Sequence, residues 1–256
     1  MIFKILICVL AGLGAGLGTG FAGMSAAAVI SPMLITFLDM DPYMAVGIAL
    51  ASDVLASAVS AYTYGKNKNL DIRNGIIMMV SVLCVTMVGS YVASLVPKTT
   101  MGNFSVFMTL LLGIKFIVKP VVEPKKRFAE ATASQKAVRS VIGGAIVGFI
   151  CGFVGAGGGM MMLLVLTSVL GYELKTAVGT SVFIMSATAF TGAASHFAIG
   201  GAPDMLSLVV CVVSTLIFAQ VAAVLANKAS PKTLNRVTGA ILVILGVAIL
   251  GVNYLG

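Results

Sequence analysis

Charge is what this sequence has least of. Only 9% of its 256 residues are Asp, Glu, Lys or Arg, against roughly a quarter in a soluble globular chain. With 59% hydrophobic residues and a mean hydropathy of +1.12, a water-soluble globule is excluded and the composition is that of a polytopic membrane protein. Histidine occurs once, at His196, there is no H-E-x-x-H and no D-x-x-D, and Asp53 is the single carboxylate well inside an apolar stretch. A membrane-embedded enzyme would need a metal or acid–base constellation that these residues do not supply, so the protein is expected not to be an enzyme, with no catalytic residues, metal or cofactor. Cys8, Cys84, Cys151 and Cys211 all lie in apolar stretches without a C-x-x-C pair, which reads as buried free thiols. At about 20 residues per crossing, the length admits roughly eight to ten crossings and leaves no room for a soluble domain. The excess of 16 Lys and Arg over 8 Asp and Glu would suggest nucleic acid in a soluble protein. Here the partner is the lipid bilayer, no nucleic acid is expected, and the positions of the charges carry topology.

The chain reads as a duplication. Shifted by about 132 residues, Gly16, Gly20, Phe21 and Gly23 fall on Gly148, Gly152, Phe153 and Gly155, and Ala45-Val46-Gly47 falls on Ala177-Val178-Gly179. Pro97-Lys98-Thr99 then matches Pro231-Lys232-Thr233, and Leu112-Gly113 matches Leu245-Gly246, with a drift of one or two. The expected organisation is a first transmembrane repeat over 1–119, a basic cytoplasmic linker over 120–138 carrying Lys125-Lys126-Arg127, and a second repeat over 139–256. Met1 to Gly23 has the outline of a signal peptide, but its place in the repeat argues against removal.

The first apolar stretch of each half is too long. Residues 5–38 as one helix would run about 50 Å, well beyond a hydrocarbon core of roughly 30 Å. Both stretches are glycine-rich in the middle, Gly12 to Gly23 and Gly143 to Gly159, which favours two short helices joined by a turn inside the membrane. Charge positions distinguish the options. Four crossings per half place 11 Lys and Arg inside and 5 outside, whereas five per half place 14 inside and only Lys4 and Lys98 outside. The positive-inside rule prefers five helices per half, both termini outside and two halves of opposite orientation. The expected fold is therefore an all-α inverted repeat of five helices each, with a broken, glycine-rich first helix pair.

Helix ends at mid-membrane are a recurring transporter device, because they offer backbone donors and a dipole end to an anion. The substrate-binding candidates are Gly23, Met24 and Ser25 at one break, Gly155, Gly157, Gly158 and Gly159 at the other, Thr180 and Ser181 nearby, and Ser57. Close helix packing by small residues is the competing account of the glycines. Asp53, Ser57, Ser60 and Tyr64 are spaced four, three and four apart, which makes a polar stripe along one helix face. Two readings of Asp53 stand: a coupling acid that takes up a proton as an anion binds, or a structural Asp bonded to Ser57 or to the N-terminus of a broken helix. His196 is a second coupling candidate, with an interfacial role as its alternative. Gln220 reads as a bridge between helices, and Lys115 and Lys119 as snorkelling cations.

On these residues the chain resembles the TauE/SafE family of sulfite exporters and sulfonate permeases. The resemblance is carried by Gly148 to Met160, by Ala177-Val178-Gly179-Thr180-Ser181, by the first-half glycine run followed by Ile30-Ser31-Pro32-Met33-Leu34, and by Asn69-Leu70-Asp71-Ile72-Arg73. Ser25-Ala26-Ala27 departs from the family, which usually carries more glycine at that point. The resemblance implies a multi-pass secondary carrier of the prokaryotic cytoplasmic (inner) membrane. Its substrate would be a small anion such as sulfite, a sulfonate or a related organic acid, with a possible coupling proton or ion. A passive anion or small-solute channel is the alternative, since broken helices and polar stripes also line channels.

Overall fold

The computed structural model describes residues 1–93, 110–111, 114–120, 132–154, 158–200 and 202–255, and shows no strand among them. Helix α1 runs Ile2–Ala22, α2 Ala27–Leu38, α3 Pro42–Lys66 and α4 Ile72–Ala93. Then come α5 Ala133–Val154, α6 Gly158–Leu164 with a π-helical turn Val165–Val169 directly after it, α7 Leu174–Gly200, α8 Met205–Lys228 and α9 Pro231–Leu255. Helix α5 thus reaches back into the stretch expected to be linker. Lys125-Lys126-Arg127 and Pro97-Lys98-Thr99 lie outside the described residues.

Among the described residues, four helical stretches are long and apolar enough to cross a membrane: Ile2–Ala22, Met44–Lys66, Leu174–Ala198 and Met205–Lys228. Their side chains sort by size rather than by polarity. On α8, Val209, Val213, Ile217, Val221 and Leu225 are exposed at intervals of four, while Cys211, Thr215, Ala219, Ala222 and Ala226 are buried. In lipid the large apolar side chains gain nothing by hiding, and small ones inside let the backbones approach.

Left-handed residues follow several of these helical segments. Gly23 stops α1 at φ 58, with its N–H and that of Met24 reaching back to the carbonyls of Thr19 and Gly18 at 2.9 and 3.2 Å. Asp39, at φ 48, stops α2, and the Met40 N–H bonds the Leu34 carbonyl. Gly171, at φ 78, follows the π-turn, and the Tyr172 N–H bonds the Leu166 carbonyl. The last two closures are 132 positions apart, as are the ends of α1 and α5 and the starts of α3 and α7.

Glycines set the direction of packing. A Cβ on Gly12, Gly16 or Gly20 would fall on Ser214, Phe218 or Ala222, the last at 2.5 Å, so α1 and α8 lie parallel and nearly in backbone contact. Gly144 and Gly148 meet the carbonyls of Met78 and Val82 in the same way, so α4 and α5 are parallel. Helices α3 and α7 run antiparallel, with Gly47 against Phe197, Gly192 against Leu50 and Gly179 against Tyr64. These three pairs are the heaviest helix contacts of the described residues.

The two ends of the bundle differ. At one, Asn69 Nδ2 donates to Asn227 Oδ1 at 2.7 Å and Lys175 Nζ to the Asn227 carbonyl at 2.8 Å. The α3–α4 connection, with Lys66, Lys68 and Arg73 around it, therefore sits beside Lys175 and the α8 C-terminus with Lys228. At the other, Lys4 pairs with Asp204, just ahead of α8. The Lys4 ammonium, followed by the Ser207 hydroxyl, holds the Asp204 carboxyl below its usual range.

Candidate substrate site at the turn between the first two helices

The turn from Gly23 to Ala26 lies inside the bundle: Met24 and Ala26 are fully buried and Ser25 is 9% exposed. No following helical turn donates N–H groups to the last carbonyls at the end of α1, and in a dry interior each must find another donor. Hydroxyls from four helices provide them. Tyr64 on α3 donates to the Gly20 carbonyl, Thr238 on α9 to that of Phe21 and Ser181 on α7 to that of Gly23, each at 2.9 Å; Thr19 on α1 itself donates to that of Met24, also at 2.9 Å.

The N-terminus of α2 is tied to α3. Ser25 Oγ accepts the Ala27 N–H at 3.3 Å and donates to Asp53 Oδ2 at 2.7 Å, while Ser57 donates to Asp53 Oδ1 at 2.7 Å. The Ala26 N–H also faces this carboxyl. Asp53 is 1% exposed, and no cation among the described residues pairs with it. One turn further along this face, Ser60 is fully buried with its hydroxyl unpartnered among the described residues.

The structure therefore brings Gly23, Met24, Ser25, Asp53, Ser57 and Ser181 together. Thr180, next to Ser181, turns to the polar end of the bundle, where its Oγ1 accepts the Asp71 N–H at 3.3 Å. Asp71 also accepts the Tyr172 hydroxyl at 2.9 Å and the Asn74 side-chain amide at 2.7 Å. Burial, with the adjacent Asp71 carboxylate, pushes the Tyr172 phenol well above its usual range, which leaves it a donor. His196 is elsewhere, its Cβ 3.2 Å from where a Cβ on Gly47 would stand. Gly158 and Gly159 begin α6, and Gly155 and Gly157 lie outside the described residues. Gln220 accepts the Thr63 hydroxyl at 2.9 Å, a bridge from α8 to α3, and Lys115 bonds Ser168. Sequence reasoning missed Thr19 and Thr238. Single threonines in apolar helices commonly bond their own backbone, and nothing in the string distinguishes those that do not.

The TauE model, described as "Sulfite exporter TauE/SafE", matches residues 8–249. The chain belongs to that family. The TauE/SafE match spans α1 to α9 and so covers the turn and every helix that bonds it. Among similar proteins, "Probable membrane transporter protein YunE" of Bacillus subtilis (strain 168) is 26% identical over 95% of this chain and 96% of its own length. "Probable membrane transporter protein YdhB" of the same strain is 23% identical over 83% and 86%. A "Probable membrane transporter protein" of Haemophilus influenzae is 28% identical over 70% and 68%.

Proposed function

We propose that this TauE/SafE protein is a secondary active carrier of a small anion in a prokaryotic cytoplasmic membrane, working by alternating access of two inverted halves. The observation that carries the reading is the buried turn at Gly23–Ala26, where α2 presents its N-terminal end and Ser25 inside an apolar bundle. Inversion of the halves is supported by directions. Helices α3 and α7 are counterparts at the 132-residue shift and pack antiparallel, as a two-fold axis in the membrane plane requires. Parallel packing of α1 on α8 and of α4 on α5 fits only if α2 turns back, so that α1 and α3 point the same way. The bonds from Asn69 and Lys175 to Asn227 support the same topology, since they bring cations of both halves to one end.

At the 132-residue shift, residues 155–159 align in sequence with Gly23 to Ala27, and by that repeat they would be the second half's contribution to the site. The class of substrate, sulfite or a sulfonate, comes from the family and from the oxyanion preference of helix N-termini. The test is uptake of labelled sulfite, taurine, sulfoacetate and acetate into proteoliposomes under imposed pH and voltage gradients. Saturable, competitively inhibited accumulation of one anion class is expected. Flux linear in concentration and indifferent to gradients would make the protein a channel.

A further inference from the structure

We propose that Asp53 and Ser25 form a proton-operated switch, in which a proton on Asp53 turns the Ser25 hydroxyl from the carboxylate toward the transported anion. The inference rests on the anion-carrier reading above and adds the coupling ion, its stoichiometry and its sign.

The geometry leaves Ser25 little choice. Its oxygen has one hydrogen to give and two lone pairs to offer. One lone pair takes the Ala27 N–H, and the hydrogen goes to Asp53 Oδ2. While Asp53 is ionised it can only accept, so Ser25 is held as its donor and presents no hydrogen to a ligand at the start of α2. An anion there would also face an uncompensated carboxylate in a medium of low dielectric. A proton on Oδ2 reverses both conditions. The carboxylic acid donates to Ser25 Oγ, which keeps the Ala27 N–H as its other partner and frees its own hydrogen for the anion. The Ser57 bond to Oδ1 is unaffected, because that oxygen remains an acceptor. No bond to carbon changes: one proton is gained by Asp53 and one anion by the site, and the loaded site carries no added charge through the bilayer.

The surroundings fit this use. Asp53 faces Ser25, the Ala26 N–H and Ser57. The helices around it also carry Lys4 and Cys8 on α1, Tyr62, Tyr64 and Lys66 on α3, Lys175 and His196 on α7, and Cys211 and Lys228 on α8, and none of these bonds Asp53: Tyr64 is committed to the Gly20 carbonyl and His196 lies beside Gly47 near the opposite end of α3. Ser60, buried between Ser57 and Tyr64 on the face of α3 that bonds the turn, has no hydrogen-bond partner among the described residues, which leaves its hydroxyl a donor for a ligand there.

The experiment is binding of methanesulfonate to the detergent-purified full chain from about pH 5 to about pH 9, since this ion keeps its charge throughout the range. Wild-type affinity is expected to weaken by up to about tenfold per pH unit on the alkaline side. Asp53→Asn, whose amide donates to Ser25 as the acid does, is expected to bind at every pH about as wild type does in acid. Ser57→Ala should keep the pH dependence, and Ser25→Ala should bind weakly at all pH. Thermal unfolding of each variant shows that it is folded. Wild-type binding indifferent to pH, or a folded Asp53→Asn that titrates like wild type or has lost binding, overturns the switch and leaves the carrier standing. Wild type that binds no methanesulfonate, sulfite, sulfate or acetate at any pH overturns the anion reading itself.

Discussion

Tyr64 shows how a single hydroxyl is used in this interior. It is fully buried, and its hydroxyl's one partner among the described residues is the Gly20 carbonyl in the last turn of α1. Tyr64→Phe keeps the ring and removes the donor, so the carbonyl is left dry and unsatisfied. A loss of about 1 to 2 kcal/mol is expected, read as a lower unfolding temperature in detergent. Asp204 allows a sign to be worked out. Its carboxyl titrates below the unfolded value because Lys4 is beside it, so the pair stabilises above the unfolded pKa and its contribution disappears as pH falls through the lower, folded one. Both side chains are 34% exposed, which limits the effect to less than about 1 kcal/mol. Asp204→Asn should lower the unfolding temperature slightly at neutral pH and not at all in strong acid, as parallel melts would show.

Among the helices, the glycines of α1 divide into two kinds. Gly23 needs its left-handed φ, whereas Gly12, Gly16 and Gly20 need the absence of a side chain, because α8 occupies the space. Gly20→Leu is expected to cost at least about 2 kcal/mol and to cut the yield of monodisperse protein in size-exclusion chromatography. Gly251→Ala, where a Cβ meets nothing within 4 Å, should change stability by no more than about 1 kcal/mol. Much of this level was legible. The excess length of residues 5–38 is arithmetic, and the spacing of Asp53 and Ser57 set them on one face, where they bond. The partners were not legible. The α8 face that receives α1 runs through Cys211, Ser214, Thr215, Phe218, Ala219 and Ala222, and composition does not say which distant glycines meet it. Ser25 likewise read as a substrate candidate at the break, and only the folded chain turns it to Asp53 across 28 residues.

At the scale of the molecule, the sequence located the charges and the contacts locate their neighbours. Cysteines introduced at Lys68 and Lys232 should react with an impermeant thiol reagent from the same side of the membrane; labelling from opposite sides would refute the inverted arrangement. The same contacts provide a lock. Asn69→Cys with Asn227→Cys replaces a 2.7 Å bond between the two halves, and oxidation to a disulfide should arrest uptake until a reductant restores it, if that end must open in each cycle.

The parallel seat of α1 on α8 has a consequence for biosynthesis. Cys8 and Cys211, which touch across that seat, are separated by 203 residues, and a ribosome adding about 5–20 residues per second needs on the order of ten to forty seconds to cover them. Through that interval α1 sits in the bilayer with its glycine groove open to any passing helix. Completion of the protein is then an assembly step late in synthesis, in which the second half closes a surface that the first half cannot close for itself.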